Sequence, residues 1–166
     1  LYVGHAIYKL DVKNRRSIGT DELVKQVEIS RTKKNVNGNI YFRAQAFVKN
    51  HQNFQTVLTN SIYKFPALIP AMTWIDSVPP SAPQKLKIKS KENGVSLKWK
   101  APKYKALTDS AAYYVVYRYT EKEEVKRELS DKILSIQKST SFLDSTAIQG
   151  IKYNYVITAV DRLHNE

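Results

Sequence analysis

The chain has 166 residues, 27 of them basic and 15 acidic, for a formal net charge of +12. Apolar residues make up 42% and aromatics 11%, which excludes a disordered tail and leaves enough material to bury a core. The absence of cysteine excludes disulfides, thiolate catalysis and Cys-ligated zinc.

Residues 1–9 are apolar on both faces apart from His5, the pattern of a buried parallel strand. Thr20 suits a helix cap, with Asp21 and Glu22 well placed in a first turn, and Leu23, Val24 and Val27 supply an apolar helix face. Residues 38–48 read as a second strand. Asn50 then caps a second helix, in which Phe54, Val57, Leu58, Ser61 and Ile62 follow the three-four spacing. This strand, helix, strand, helix order implies a parallel sheet with right-handed crossovers. Two such strands are too few for an independent core of useful size, since a closed eight-fold barrel takes roughly 250 residues. Either residues 1–78 fold onto the second half, or they are the tail of a barrel whose front lies outside this chain.

Pro79, Pro80 and Pro83 lack amide donors and hold an extended backbone, so 79–83 reads as a stiff connector. Beyond it the period changes to two. Val95, Leu97 and Trp99 alternate with Ser96, Lys98 and Lys100, a half-buried strand. Residues 112–119 form a strand dense in Tyr and Val, and 151–160 alternate again. Weaker strands are expected at 84–89, at 125–129 or 133–136, and at 141–144. Short strands joined by turns make residues 84–166 a β-sandwich.

Several segments of this half resemble a fibronectin type III domain: Pro83-Gln-Lys-Leu86, Val95-Ser-Leu-Lys-Trp-Lys-Ala-Pro102, Tyr114-Val-Val-Tyr-Arg118, Thr140-Ser-Phe-Leu-Asp144 and Ala147-Ile-Gln-Gly-Ile-Lys-Tyr153. The resemblance implies that Trp99 is the core tryptophan and Tyr153 the corner tyrosine, its hydroxyl bonded to nearby backbone. It also implies a seventh strand that this chain does not supply, leaving an edge open to pairing with another chain. In the first half, Leu1-Tyr-Val-Gly-His-Ala-Ile-Tyr8, Gly38-Asn-Ile-Tyr-Phe42 and above all Tyr63-Lys-Phe-Pro-Ala-Leu-Ile-Pro-Ala-Met-Thr-Trp74 resemble the end of a (β/α)8 domain. The family is the bacterial glycosyl-hydrolase-like type 10 group. The fold class expected is thus mixed: a βαβα barrel fragment followed by an immunoglobulin-like sandwich lacking its last strand. The second resemblance implies a glycan substrate for the parent protein and an extracytoplasmic location, at the periplasm or cell surface, as part of a lipoprotein.

Glycoside hydrolysis usually takes a pair of carboxylates. The first half offers Asp11, Asp21, Glu22, Glu28 and Asp76, and all but Asp11 read as cap, helix-surface or linker positions. Asp11 lies just past a strand end but beside Lys13, Asn14, Arg15 and Arg16, which reads as a polar loop. No catalytic residue is therefore expected in these 166 residues. Tyr8 is a candidate for stacking on a sugar ring, and Arg43 with Gln45, read as sharing a strand face, for hydrogen bonding to it. His5, His51 and His164 are scattered, with no spaced carboxylate, so no metal site and no cofactor is expected. Residues 1–80 hold 11 basic and 5 acidic side chains and residues 81–166 hold 16 and 10, so each half carries +6. A charge spread in this way argues against a nucleic-acid partner, and Lys85, Lys87 and Lys89 read as the wet face of a strand. Tyr104, Tyr113, Tyr114, Tyr117 and Tyr119 invite a carbohydrate platform, though sandwich packing accounts for them as well. The alternative to a hydrolase fragment is a non-enzymatic adhesion or spacer module of the cell envelope.

Overall fold

The computed structural model describes every residue except Asn14, Lys105, Ala106 and Glu128. The chain divides into two compact units, Leu1–Lys64 and Phe65–Glu166. Residues 65–78, grouped with the first half on sequence, pack within the second unit. Leu68 lies against its core, Met72 N–H donates to Leu163 O at 2.9 Å, and Asn165 Nδ2 donates to Asp76 O at 3.0 Å.

In the first unit, β1 (Tyr2–His5) runs parallel to β2 (Gly38–Tyr41), in register from Tyr2 opposite Gly38 to His5 opposite Tyr41. The apolar run continuing past β1 becomes a 3-10 turn, Ile7–Leu10. Ile7 and Leu10, three residues apart, fall on one side of such a turn and both are buried. Helix α1 (Thr20–Thr32) crosses between the strands. Gly19, not Thr20, occupies its cap position, and the Thr20 hydroxyl donates to Gln52 O at 2.9 Å instead. Asp21 and Glu22 lie in the first turn, where the amide dipoles favour them.

The second strand is shorter than its sequence suggests. After Tyr41 comes a cis peptide between Phe42 and Arg43, then α2 (Ala44–Val48). Arg43 therefore caps a helix, Gln45 lies inside it, and the two do not share a strand face. Packing decides this. Helical spacing buries Ala46 and sets the Phe47 ring 5.0 Å from Tyr41 and 5.8 Å from Phe54. Asn53, not Asn50, occupies the cap position of the last helix, α3 (Phe54–Asn60), but Asn50 reaches its first turn. Asn50 Oδ1 accepts the amides of Gln55 and Thr56 across the 3-10 turn His51–Asn53.

Ile7, Leu10, Leu23, Ala46, Phe54 and Leu58 form the apolar core of this unit. His5 is buried, as a lone strand histidine should be, and its Nε2 lies 2.7 Å from Asn39 Oδ1. Asn39 also accepts the Ser30 hydroxyl at 2.6 Å and donates to Tyr63 Oη at 3.1 Å. All of this lies on the helix-covered face of the two strands. On the opposite face, Tyr2, Ile40 and the adjoining Phe42 are 53%, 57% and 65% exposed.

The second unit is a sandwich of two three-stranded antiparallel sheets. One has the order β3 (Gln84–Lys91), β4 (Gly94–Lys100), β7 (Ser141–Asp144). The other has the order β6 (Ile133–Gln137), β5 (Tyr113–Thr120), β8 (Tyr153–Val160). The 133–136 choice for the weak strand is the one realised. The described residues of 125–129 form no strand, and Glu128 lies outside them. Strand β8 is an edge, with no partner on its far side among the described residues.

Leu97, Trp99, Tyr114, Val116 and Ala159 fill the space between the sheets, with Trp99 edge-on to Tyr114 at 5.5 Å. Tyr117 and Tyr119 take the other face of β5 and are fully buried there with Val115, Ile133 and Val160. The tyrosines of 113–119 are thus packing on both faces and offer no exposed platform, while Tyr104, outside the strands, is exposed. The corner tyrosine is as expected: Tyr153 Oη accepts the Ile148 amide at 3.4 Å. No helix among the described residues is long and apolar enough to cross a membrane.

Candidate functional site

Parallel pairing puts the carboxyl ends of β1 and β2 side by side. The chain leaving β1 runs through Tyr8 and Asp11, and the chain leaving β2 runs through Phe42 and α2. Two backbone bonds tie the exits together, from Phe42 N–H to His5 O at 2.9 Å and from Tyr8 N–H to Phe42 O at 3.2 Å. Between them lies a small cavity of about 40 Å³ lined by Tyr8, Asp11, Arg43, Gln45, Ala46, Lys49 and His51.

Tyr8, Arg43 and Gln45 are therefore brought together, although not by the strand geometry expected for the last two. Arg43, Ala46 and Lys49 recur every third residue around α2, which turns one side of that helix to the cavity. Tyr8 meets Phe42 edge-to-face at 5.9 Å, making a half-exposed aromatic corner beside it. Such a corner can stack on the apolar face of a sugar ring while adjacent polar groups bond its hydroxyls.

Gln52 holds the rim. Its Nε2 donates to Leu10 O at 2.8 Å and Ile18 O at 3.0 Å, and its Oε1 accepts the Thr20 amide at 3.3 Å. One side chain thus fixes the loop from β1 to α1 against the start of α3. Asp11 sits in a polar turn, its Oδ1 accepting the Lys13 amide at 3.0 Å. Asn14, part of the polar loop expected there, lies outside the described residues.

Asp11 is the single carboxylate at the cavity, facing Arg43, Lys49 and His51. An acid and its partner base need two carboxyl groups about 5 to 9.5 Å apart across a scissile bond. The described residues of this site hold one, so the site can bind and orient but has no acid pair. No cluster of three or more metal-ligating side chains exists among the described residues.

Lys49, His51 and Phe42 are site residues that sequence reasoning missed. Lys49 carried no reading, His51 read as one of three scattered histidines and Phe42 as one more strand position. The available signal was the three-residue spacing of Arg43, Ala46 and Lys49, which sets them within about a third of a turn of one another if 43–49 is helical. Gln52 had no signal, because its partners lie 32 to 42 positions away.

Residues 83–166 match the family model described as "Fibronectin type III domain SaeA third domain". The whole chain aligns with Glycosyl hydrolase YngK of Bacillus subtilis (strain 168) at 34% identity over 168 residues, spanning 32% of that protein. Over 59% of the chain it is 32% identical to Amylopullulanase of Thermoanaerobacterium thermosulfurigenes, covering 5% of that protein. The chain thus spans about a third or less of the curated relatives it matches. Among solved structures, "Titin kinase and its flanking domains" aligns over 52% of the chain and 15% of its own length, at 14% identity and a TM-score of 0.42.

Proposed function

On the premise that this chain belongs to the fibronectin type III family through residues 83–166, we propose that its first unit completes a glycoside-hydrolase barrel and that the sandwich is the accessory module of that enzyme. In this reading Leu1–Lys64 supplies closing βα units of a (β/α)8 domain of the glycosyl-hydrolase-like type 10 group. Tyr8, Arg43 and Gln45 line part of its glycan cleft. The acid and its partner belong to the remainder of the barrel, and the 166 residues alone do not hydrolyse a glycan. The resemblance alone carries the location: outside the cytoplasm, at the periplasm or cell surface, on an envelope or dietary glycan.

The observation that carries this reading is the half-covered sheet. Parallel sheets are ordinarily buried on both faces. Here helices cover one face of β1 and β2, while Tyr2, Ile40 and Phe42 stand exposed on and beside the other. That bare face is where further barrel strands and their inward side chains would pack. The cavity opens at the carboxyl ends of the strands, the end where barrel enzymes carry their sites. The name of the B. subtilis relative, a glycosyl hydrolase, supports the same reading.

The test is reducing-sugar release from cell-wall glycan and from starch-type glucans. The expected result is no turnover by the 166 residues, and turnover by the full protein that Tyr8→Ala lowers. Hydrolysis by the 166 residues alone would reject the reading.

A further inference from the structure

We propose that the outer face of β3 and β4 binds an acidic polysaccharide. This surface belongs to the second unit and goes beyond the glycan cleft assigned above. Only the choice of a polysaccharide over other polyanions rests on that assignment.

Cross-strand register defines the face. Leu97 and Trp99 are buried between the sheets, so Ser96, Lys98 and Lys100 of β4 turn outward. Opposite them on β3, Lys87 pairs with Lys98, Lys89 with Ser96 and Lys91 with Gly94. Lys87, Lys89 and Lys91 therefore stand on the same side, about 7 Å apart along the strand. Lys85 joins them through the bulge between Gln84 and Lys87, where its φ of 54° turns the chain. All eight residues of β3 are exposed.

Two grooves cross this face, of about 320 and 350 Å³. Both include Lys87 and Lys98, so they form one continuous trough. The three strands carry six lysines and a single acid, Asp144, whose carboxylate is buried against Arg118. Some basic side chains elsewhere in this unit have carboxylates: Lys126 has Glu124, Lys132 has Glu123 and Asp131, and Lys152 has Glu121. None of the six lysines is in an ion pair with a described residue. Directly opposed like charges such as Lys87 and Lys98 are unfavourable, so an anion laid between them relieves repulsion as well as adding attraction.

The chemistry of the face selects among polyanions. Binding of single strands of nucleic acid relies on aromatic platforms for bases; the outward positions of β3, β4 and β7 hold no aromatic residue, and Trp99, which lines one groove, is buried in the core at 5% exposure and offers no such platform. A bilayer is planar, whereas strands of a sheet twist relative to one another, so the outer lysines would lift away from a membrane. The hydroxyls of Ser96 and Ser141 flank Lys98, which suits a chain that alternates carboxylates with hydroxyls.

The test is titration of the 166-residue chain with polygalacturonate, beside neutral amylose, oligodeoxythymidylate and phosphatidylglycerol vesicles at one ionic strength. The expected result is binding of polygalacturonate that falls steeply with added salt. A Lys87→Gln, Lys89→Gln, Lys98→Gln variant should lose about tenfold or more in affinity, since each released counterion carries a few-fold factor over an ordinary salt range. Its circular dichroism and melting should match the unsubstituted chain. Tyr8→Ala should leave polygalacturonate binding unchanged even if it impairs the cleft. The proposal is overturned if polygalacturonate does not bind, if the triple variant binds equally well, if Tyr8→Ala abolishes binding, or if the oligonucleotide or vesicles bind more tightly.

Discussion

Arg118 on β5 and Asp144 on β7 belong to different sheets, and Arg118 Nη1 meets Asp144 Oδ2 at 2.8 Å. The Asp144 side chain is almost completely buried. Both of its oxygens are used: Thr146 gives Oδ1 its amide and hydroxyl at 3.0 and 2.7 Å, and Tyr155 from β8 donates to Oδ2 at 2.7 Å. The guanidinium also lies over the Tyr153 ring, 4.7 Å from its centroid. One buried carboxylate thus joins three strands of two sheets. Removing Arg118 leaves that charge uncompensated, a situation that costs about 3 kcal/mol or more. Arg118→Leu should lower the urea midpoint of the second unit accordingly, and an unchanged midpoint would show that the pair is not structural.

The same site sets an acid response. Burial raises the Asp144 pKa, but the hydrogen bonds from Thr146, Tyr155 and Arg118 outweigh it and hold the carboxyl below its ordinary value. A group depressed in the folded state stabilises fully above its unfolded value, about 3.9, and loses that contribution as pH falls through the folded value. Stability measured by urea should therefore drop below about pH 4, and Asp144→Asn should flatten this part of the profile. An equal acid response in both proteins would assign the sensitivity to other carboxylates.

Trp99 is central to the sandwich core, so Trp99→Ala should cost about 3–5 kcal/mol. Its indole Nε1 is buried with no hydrogen-bond partner among the described residues. An unmade bond of this kind is itself unfavourable. Trp99→Phe removes the orphan donor and should cost much less than the alanine variant. Thermal melts of the two variants check both statements.

Gly94 has φ of +131°, and a Cβ built there would lie 2.2 Å from Asp144 O. The turn between β3 and β4 thus requires glycine on backbone and steric grounds. Gly94→Ala should destabilise the second unit by more than about 1 kcal/mol, visible as a lower melting temperature.

Gln52→Ala should loosen the rim of the cleft without unfolding the first unit. The side chain bonds three separate backbone groups at Leu10, Ile18 and Thr20. A net loss of about 1–2 kcal/mol is expected for bonds made partly at the surface. Faster amide exchange confined to residues 10–20 would confirm the local role, and global acceleration would contradict it.

Alternation by itself determined the strand Val95 to Trp99, because period two has one structural meaning when every second residue is large and apolar, and density in Tyr and Val determined 112–119. The resemblance to fibronectin type III domains, not alternation, implied Trp99 as core tryptophan and Tyr153 as corner tyrosine, and side-chain chemistry brought Tyr8, Arg43 and Gln45 forward. Tertiary structure decided the rest. Phe42 to Val48 is apolar enough for a strand or a helix, and only the place waiting for Phe47 between Tyr41 and Phe54 selects the helix. That choice gathers Arg43, Lys49 and His51 with Asp11 around one cavity. The attachment of residues 65–78 to the sandwich and the reach of Gln52 across the first unit depend on partners dozens of positions away, which no local pattern encodes.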